Sequence, residues 1–175
     1  MSQALARHGI EALLVGGAVV TIYTRNKYRS FDLDYVVRGS DKNILAAMHS
    51  IGFRKGSGRH FERPGTMYIV EFLPPPAGIG RVFVETYGTH IAPTGTIQLY
   101  EPTHSVMDRL AAFYHWKDEQ GLKQAVLVAL NRQVRMGEIE RWSAGEGHTE
   151  GFARFRRTLA AARRRRAQIT RPGPV

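Results

Sequence analysis

Two stretches near the N-terminus constrain the fold more than any other part of the chain. Residues 14–20 read LVGGAVV, and residues 30–37 read SFDLDYVV. An apolar run that meets a Gly-Gly pair is typical of a strand turning directly into a helix. The second stretch predicts another strand, on which Asp32 and Asp34 share one face because side chains alternate. The apolar residues that alternate with them (Phe31, Leu33 and Tyr35) are then expected to face the core.

Asp32 and Asp34 are candidate metal ligands. Two carboxylates this close repel each other unless a cation lies beside them. Mg²⁺ and Mn²⁺ prefer such oxygen ligands, so the pair predicts a divalent-metal site. Gly16 and Gly17 permit a tight turn and close backbone approach. The helix they open presents free N–H groups to a phosphate, so the two stretches together predict a triphosphate bound with Mg²⁺ or Mn²⁺.

The order Gly-Gly, twelve intervening residues, then Ser-x-Asp-x-Asp resembles the signature of the DNA polymerase β-type nucleotidyltransferase superfamily. Within it, the chain is most similar to small bacterial and archaeal members related to abortive-infection and toxin–antitoxin nucleotidyltransferases. The resemblance implies an α+β fold, with a small mixed-sheet core flanked by helices and a C-terminal helical appendage. It also implies a magnesium-dependent nucleotidyltransferase that moves an NMP from an NTP to a hydroxyl acceptor.

The superfamily resemblance further implies a third catalytic and metal-binding carboxylate on a neighbouring strand, and three such acids would support transfer with two bound metal ions. Glu71 is the first choice, because it interrupts the apolar residues 68–73 just before a proline stop. Glu85 lies in a second apolar segment and is the alternative. Related proteins more often carry aspartate at this position. Either glutamate could instead be an edge-strand carboxylate paired with an arginine such as Arg81.

The resemblance also assigns residues to the nucleotide. Gly16, Gly17 and Ser30 would contact phosphate, although a serine at a strand entry is as often structural. Arg109 and Lys117, on the first helix after residue 101, would neutralise phosphate charge. Asp118 would orient Lys117, but most charges on a helix face are simply solvated, and that reading is favoured for Asp118.

The remaining pattern divides the chain into a core over residues 1–100 and a helical region over 101–175. Apolar spacing and turn residues place the elements. Strands are predicted at 12–16, 30–37, 67–73, 81–87 and 96–100. Helices are predicted at 2–9, 17–25, from Ser40 to Gly52, and in four segments after Pro102, the last over 149–168. Trp142 is expected to anchor the last two helices, and a basic tail to begin near residue 163.

The chain carries 25 Lys and Arg against 15 Asp and Glu, a formal net charge of +10. Such an excess favours polyanionic partners, nucleic acid first, although a solvated basic face is the alternative. An RNA or tRNA end is therefore the favoured acceptor, and a protein hydroxyl the second. Four arginines, Arg163, Arg164, Arg165 and Arg166, are candidates to follow an RNA backbone. A defence role with a cognate toxin or antitoxin partner is implied only by the resemblance.

Two absences narrow the class of protein. The sequence has no cysteine, which excludes disulfides and thiolate metal sites. It has no apolar run of roughly 20 residues and no signal-peptide pattern, so no membrane association and a cytoplasmic location are expected. A second hypothesis stays open: a non-catalytic nucleotide sensor, antitoxin-like partner or RNA-binding module that keeps the same fold.

Overall fold

A computed structural model describes residues 1–169 of the chain; residues 170–175, the end of the predicted basic tail, lie outside these residues. The helices are α1 (Ser2–Arg7), α2 (Gly16–Tyr23), α3 (Asp41–Ser50), α4 (Pro102–Trp116), α5 (Glu119–Asn131), α6 (Met136–Gly145) and α7 (Thr149–Ile169). The strands are β1 (Glu11–Val15), β2 (Asp32–Arg38), β3 (Arg54–Lys55), β4 (His60–Glu62), β5 (Ile69–Leu73), β6 (Gly78–Ile79), β7 (Val82–Phe83), β8 (Tyr87–Ala92) and β9 (Gly95–Tyr100).

Seven strands form one mixed sheet in the order β3-β4-β5-β2-β1-β9-β8. Strands β2 and β5 are parallel, as are β1 and β9, while the other neighbouring pairs are antiparallel. The two remaining strands, β6 and β7, form a separate hairpin. The α+β fold class with a mixed sheet and a helical C-terminal region is confirmed.

The face of the sheet opposite the two aspartates is the more deeply buried one. Leu14, Tyr35, Val70 and Leu99 alternate onto this face and are almost completely inaccessible to solvent. Helix α1 packs against it, and the Ser2 and Tyr35 hydroxyls are 3.0 Å apart. The same buried cluster continues through α2 and the C-terminal helices as far as Leu159. The division into two regions at residue 100 stays a prediction.

Several element predictions need correction. The strand predicted at 81–87 is wrong: only Val82–Phe83 is extended, because it folds back on Gly78–Ile79 through a turn in which Gly80 has φ +58°. The short strands β3 and β4 carry too few residues to be recognised. Strand β8 was missed beyond Tyr87, although its six residues alternate between exposed and half-buried positions. Phe31 is exposed rather than buried, because it precedes β2 at the end of the sheet and contacts Tyr68.

The helical region differs from expectation in one packing detail. Trp142 stacks on Tyr114 of α4, with ring centroids 5.6 Å apart, and its indole N–H donates to the Ile79 carbonyl at 3.3 Å. It therefore anchors α6 to α4 and the β6–β7 hairpin, and the predicted anchoring to α7 stays a prediction. Among residues 1–169, no helix is long and apolar enough to cross a membrane.

Candidate active site

The Gly-Gly turn brings the start of α2 against β2. Gly16 has φ +70°, and a Cβ atom at this position would collide with Oδ2 of Asp34. A Cβ on Gly17 would lie 2.9 Å from the Ser30 hydroxyl. No side chain caps the N-terminus of α2, so its first N–H groups remain available beside Asp34. The glycines thus hold the helix end and the acidic strand in contact.

The three predicted carboxylates lie on one face of the sheet. In the parallel register of β2 and β5, Asp34 is directly opposite Glu71 and Asp32 is opposite Ile69. Directly opposite side chains project from the same face. Glu85 instead lines a cavity of about 600 Å³ with Glu11 and Arg38, at the end of the sheet where β1 begins. Of the two glutamates, the structure therefore places Glu71 beside the aspartates.

The pKa of Asp34 reflects its burial and the charges around it. Burial, followed by the neighbouring charge of Glu71, raises the pKa of Asp34 from 3.8 to about 6. This value already includes smaller increases from Asp32 and Asp108 and a decrease from Arg109. Glu71 is 3.5 Å from Nε2 of His60 on the adjacent strand. The suggested Arg81 partner lies elsewhere, where its backbone N–H donates to Glu146 at 2.8 Å.

Arg109 reaches the cluster from α4. Its Nε and Nη2 donate to Asp108 at 3.0 and 2.7 Å, and its Nη1 donates to Gln124 at 3.4 Å. Burial alone would lower the pKa of Arg109, but Asp108, and then Asp34 and Tyr28, raise it above its ordinary value. Asp108 was not predicted from the sequence as a residue of the site. The available signal was a second charge adjacent to Arg109 in an otherwise largely apolar stretch of helix.

Two solved structures share this arrangement of elements. An antigenic nucleotidyltransferase-like protein from Paracoccidioides brasiliensis superimposes with a TM-score of 0.56, at 15% identity, over 73% of this chain and 71% of the other. The antibiotic-resistance factor ANT(2'')-Ia superimposes with a TM-score of 0.50, at 13% identity, over 95% of this chain and 93% of the other. The chain has a nucleotidyltransferase-like fold. Its sequence matches no protein-family model and no curated protein.

Ser30, a predicted nucleotide contact, and Asp118, which was expected to orient Lys117 or to be solvated, both have local structural roles in this nucleotidyltransferase-like fold. The Ser30 hydroxyl donates to the Asp32 carbonyl at 3.1 Å, and the Ser30 N–H donates to Thr21 at 2.9 Å. These bonds fix the entry to β2. Asp118 is the N-cap of α5, since its carboxylate accepts the Gln120 N–H at 2.9 Å.

The remaining predicted basic residues lie away from the carboxylates. Lys117 ends α4 with φ 54° and lines a surface cavity with Glu119 and Arg154. It is not among the charges that shift the pKa of Asp34. Residues Arg163–Arg166 (all exposed) belong to α7, and Arg166 donates to the Leu130 carbonyl at 2.8 Å. The predicted basic tail is thus a continuation of the last helix through Ile169.

The donor set of the nucleotidyltransferase-like fold suits one hard cation better than two. Within residues 1–169, no three His, Asp or Glu side chains form a ready-made metal cluster. Mg²⁺, however, is commonly held by one or two carboxylates together with substrate phosphates and water. Asp32 and Asp34 supply such a pair. The pKa of Asp34 is raised first by burial and then by the charge of Glu71, and a cation would offset that second effect. Glu71 already lies near His60, which leaves a second ion without comparable support.

The pKa of Asp34 predicts how the stability of the metal-free protein depends on pH. Between 3.8 and about 6, the folded chain retains a proton that the unfolded chain has released, so the free energy of unfolding falls as pH rises. After discounting for solvent screening, the loss is about 1 kcal/mol. Asp34→Asn should therefore melt about 2–4 °C above the wild type near pH 8, but equally near pH 4. Differential scanning fluorimetry measures this difference. A variant whose advantage does not change with pH would contradict it, and Asp41→Asn, in the exposed first turn of α3, is the control.

Gly16→Ala tests the close approach of the turn to Asp34. The left-handed φ of +70° alone should cost an alanine about 1–2 kcal/mol, and the new Cβ should also rotate the Asp34 carboxylate away. Gly9→Ala is a matched control, since Gly9 has φ +69° and nothing lies within 4 Å of its added Cβ. Both variants should lose similar thermal stability. Only Gly16→Ala should weaken Mg²⁺-dependent nucleotide binding, measured by calorimetry; equal binding by the two variants would contradict this.

Proposed function

We propose that this protein is a divalent-metal-dependent nucleotidyltransferase that transfers an NMP from an NTP to a hydroxyl acceptor. The observation that supports it most is the position of Asp34, which lies between Gly16 at the start of α2 and Glu71 on the parallel strand. The turn is suited to phosphate, and the carboxylates to a cation that accompanies it. Their pairing on one sheet face is what such a reaction requires.

In the proposed reaction, Asp32 and Asp34 would hold Mg²⁺ or Mn²⁺ together with the triphosphate. The bound ion supplies charge neutralisation at the phosphates. The first N–H groups of α2 would bind phosphate oxygens, and Arg109 would add positive charge from the α4 side. The acceptor hydroxyl oxygen forms a bond to the α-phosphorus while the bond to the bridging oxygen breaks and pyrophosphate leaves. Glu71 would take the hydroxyl proton, with His60 within 3.5 Å of its carboxylate.

Charge favours an RNA or tRNA end as acceptor, with a protein hydroxyl as the second candidate. The net charge of +10 makes a polyanion the expected large partner. Lys117 and the arginines of α7 lie on other surfaces, so they would serve a longer acceptor and not the reacting phosphates. A toxin–antitoxin or defence role, with a cognate partner, rests on the sequence resemblance alone.

The test is incubation of the purified protein with each α-³²P-labelled NTP, Mg²⁺ or Mn²⁺, and total RNA. Label entering RNA, or the protein itself, only when Asp32 and Asp34 are intact would support the transferase and identify its acceptor class. Absence of transfer under every condition, with metal-dependent nucleotide binding retained, would favour the alternative of a nucleotide sensor, antitoxin-like partner or RNA-binding module.

A further inference from the structure

A cluster of exposed hydrophobic side chains borders the proposed active site. We call Phe31, Met67, Tyr68 and Ile69 the edge patch. These four large hydrophobic residues are 41%, 70%, 46% and 41% exposed, in that order. Other exposed hydrophobic residues, such as Phe83, Ile91 and Trp116, are distant from these four in sequence and lie on other elements. Contiguous exposed apolar surface of this kind marks an interaction site.

The edge patch lies at the end of the sheet that carries Asp32, with Ile69 on the same face as Asp32 and the side chains of Phe31 and Tyr68 on the opposite face. Ile69 is directly opposite Asp32 in the β2–β5 register, and its N–H donates to the Phe31 carbonyl at 3.0 Å. The Phe31 and Tyr68 rings lie 5.9 Å apart at an angle of 54°. Because they are tilted, the two rings do not cover each other, and each leaves surface open to a flat partner.

The charges around the edge patch identify its partner. Arg29 lies two residues before Phe31. On β4, Glu62 is opposite Ile69; Arg63 follows Glu62 in sequence, and Arg54 of β3 is opposite Glu62. All three arginines are exposed, and none has an ion pair with a carboxylate in the described part of the chain. Arg135 and Arg154, by contrast, are both paired with glutamates. Open aromatic rings with unpaired cations suit a polyanion that carries flat apolar faces.

We propose that the edge patch binds the unpaired bases of a single-stranded RNA and thereby holds the RNA at the end of the sheet, from which its terminus can pass over Ile69 to Asp32 and Asp34. Bases of a duplex are already stacked on each other, whereas a single strand can place its bases on aromatic side chains while cations follow its backbone. The assignment of this RNA as acceptor rests on the proposed function. The binding itself does not require transfer and can be measured separately.

The experiment compares two double variants of the full chain. Phe31→Ala with Tyr68→Ala removes both rings, while Phe83→Ala with Ile91→Ala removes two even more exposed apolar side chains elsewhere. Fluorescence anisotropy with a labelled single-stranded RNA, in EDTA without nucleotide, should show about a tenfold or greater rise in Kd for the first variant only. Phe31→Tyr with Tyr68→Phe keeps two aromatic rings and should bind the RNA as tightly as the wild type. Arg29→Ala with Arg63→Ala should reduce the slope of log K against log salt by about 0.7 per arginine.

In the transfer assay, the ring variant should raise KM for RNA by a similar factor and leave KM for the NTP unchanged. Wild-type RNA affinity in the ring variant would overturn the proposal, as would an equal loss with duplex RNA or label transferred only to protein. Ring-dependent RNA binding without any transfer would support the edge patch while counting against the proposed function. Transfer to RNA by the ring variant with an unchanged KM for RNA would support the proposed function and count against the edge patch. Circular dichroism melting of each variant verifies that it is folded.

Discussion

Protein carrying Asp32→Ala and Asp34→Ala is expected to transfer nucleotide about 10³-fold more slowly than wild type, or slower still, while remaining folded. The expected magnitude follows because charge stabilisation at the phosphates is worth several kcal/mol, and each 1.4 kcal/mol is about tenfold in rate. The fold should survive because the residues removed face away from the buried side of the sheet. Their loss also relieves the repulsion that raises the pKa of Asp34.

The measurement is the initial rate of label transfer at saturating NTP, together with the melting temperature of each protein. Glu11→Ala with Glu85→Ala is the matched control, since it also removes two carboxylates but from the cavity at the other end of the sheet. That control should keep wild-type activity. A double aspartate variant with wild-type transfer would remove the enzymatic interpretation, whereas equal loss in both double variants would indicate a general effect of charge.

Local periodicity was sufficient to predict the core of the site. Asp32 and Asp34 fall on one face of β2 because a strand alternates, and the turn before α2 follows from Gly16 and Gly17. The same reasoning misplaced Phe31, since alternation determines the face of a residue but not how far the neighbouring elements extend over it. That residue lies beyond the covered part of the sheet, where it is 41% exposed.

Contacts between distant segments were less accessible to sequence reasoning. Two glutamates were candidates for the third carboxylate, and their positions depend on which strand adds next to β2. The parallel β2–β5 pairing places Glu71 opposite Asp34, while the β6–β7 hairpin carries the chain away before Glu85. The Asp108–Arg109 pair reaches the site only because α4 packs there, and no local pattern encodes that docking. Strand order and helix docking therefore decided what the local pattern left open.

Arg109→Met is expected to destabilise the protein by about 3 kcal/mol, the typical cost of removing one partner from a buried ion pair. The guanidinium is mostly buried, donates to Asp108 at 2.7 and 3.0 Å, and offsets the charge of Asp34. Without it, Asp108 and Asp34 would be left with no compensating positive charge among the groups that shift the pKa of Asp34. For a chain of this length, the melting temperature should fall by about 6–12 °C.

Arg154→Met is the control for Arg109→Met, because Arg154 also makes two hydrogen bonds to a carboxylate, at 2.8 Å each, but on the surface with Glu119. It should cost about 1 kcal/mol or less. Adding Asp34→Asn to Arg109→Met should recover part of the lost stability, because the charges of Asp34 and Arg109 interact. Adding Asp34→Asn to Arg154→Met should produce only the effect of Asp34→Asn alone. Chemical denaturation of the single and double variants measures this coupling. If Arg109→Met were no more destabilising than Arg154→Met, or if Asp34→Asn had the same effect in both backgrounds, Arg109 would not be the cation that permits acids to gather at this site.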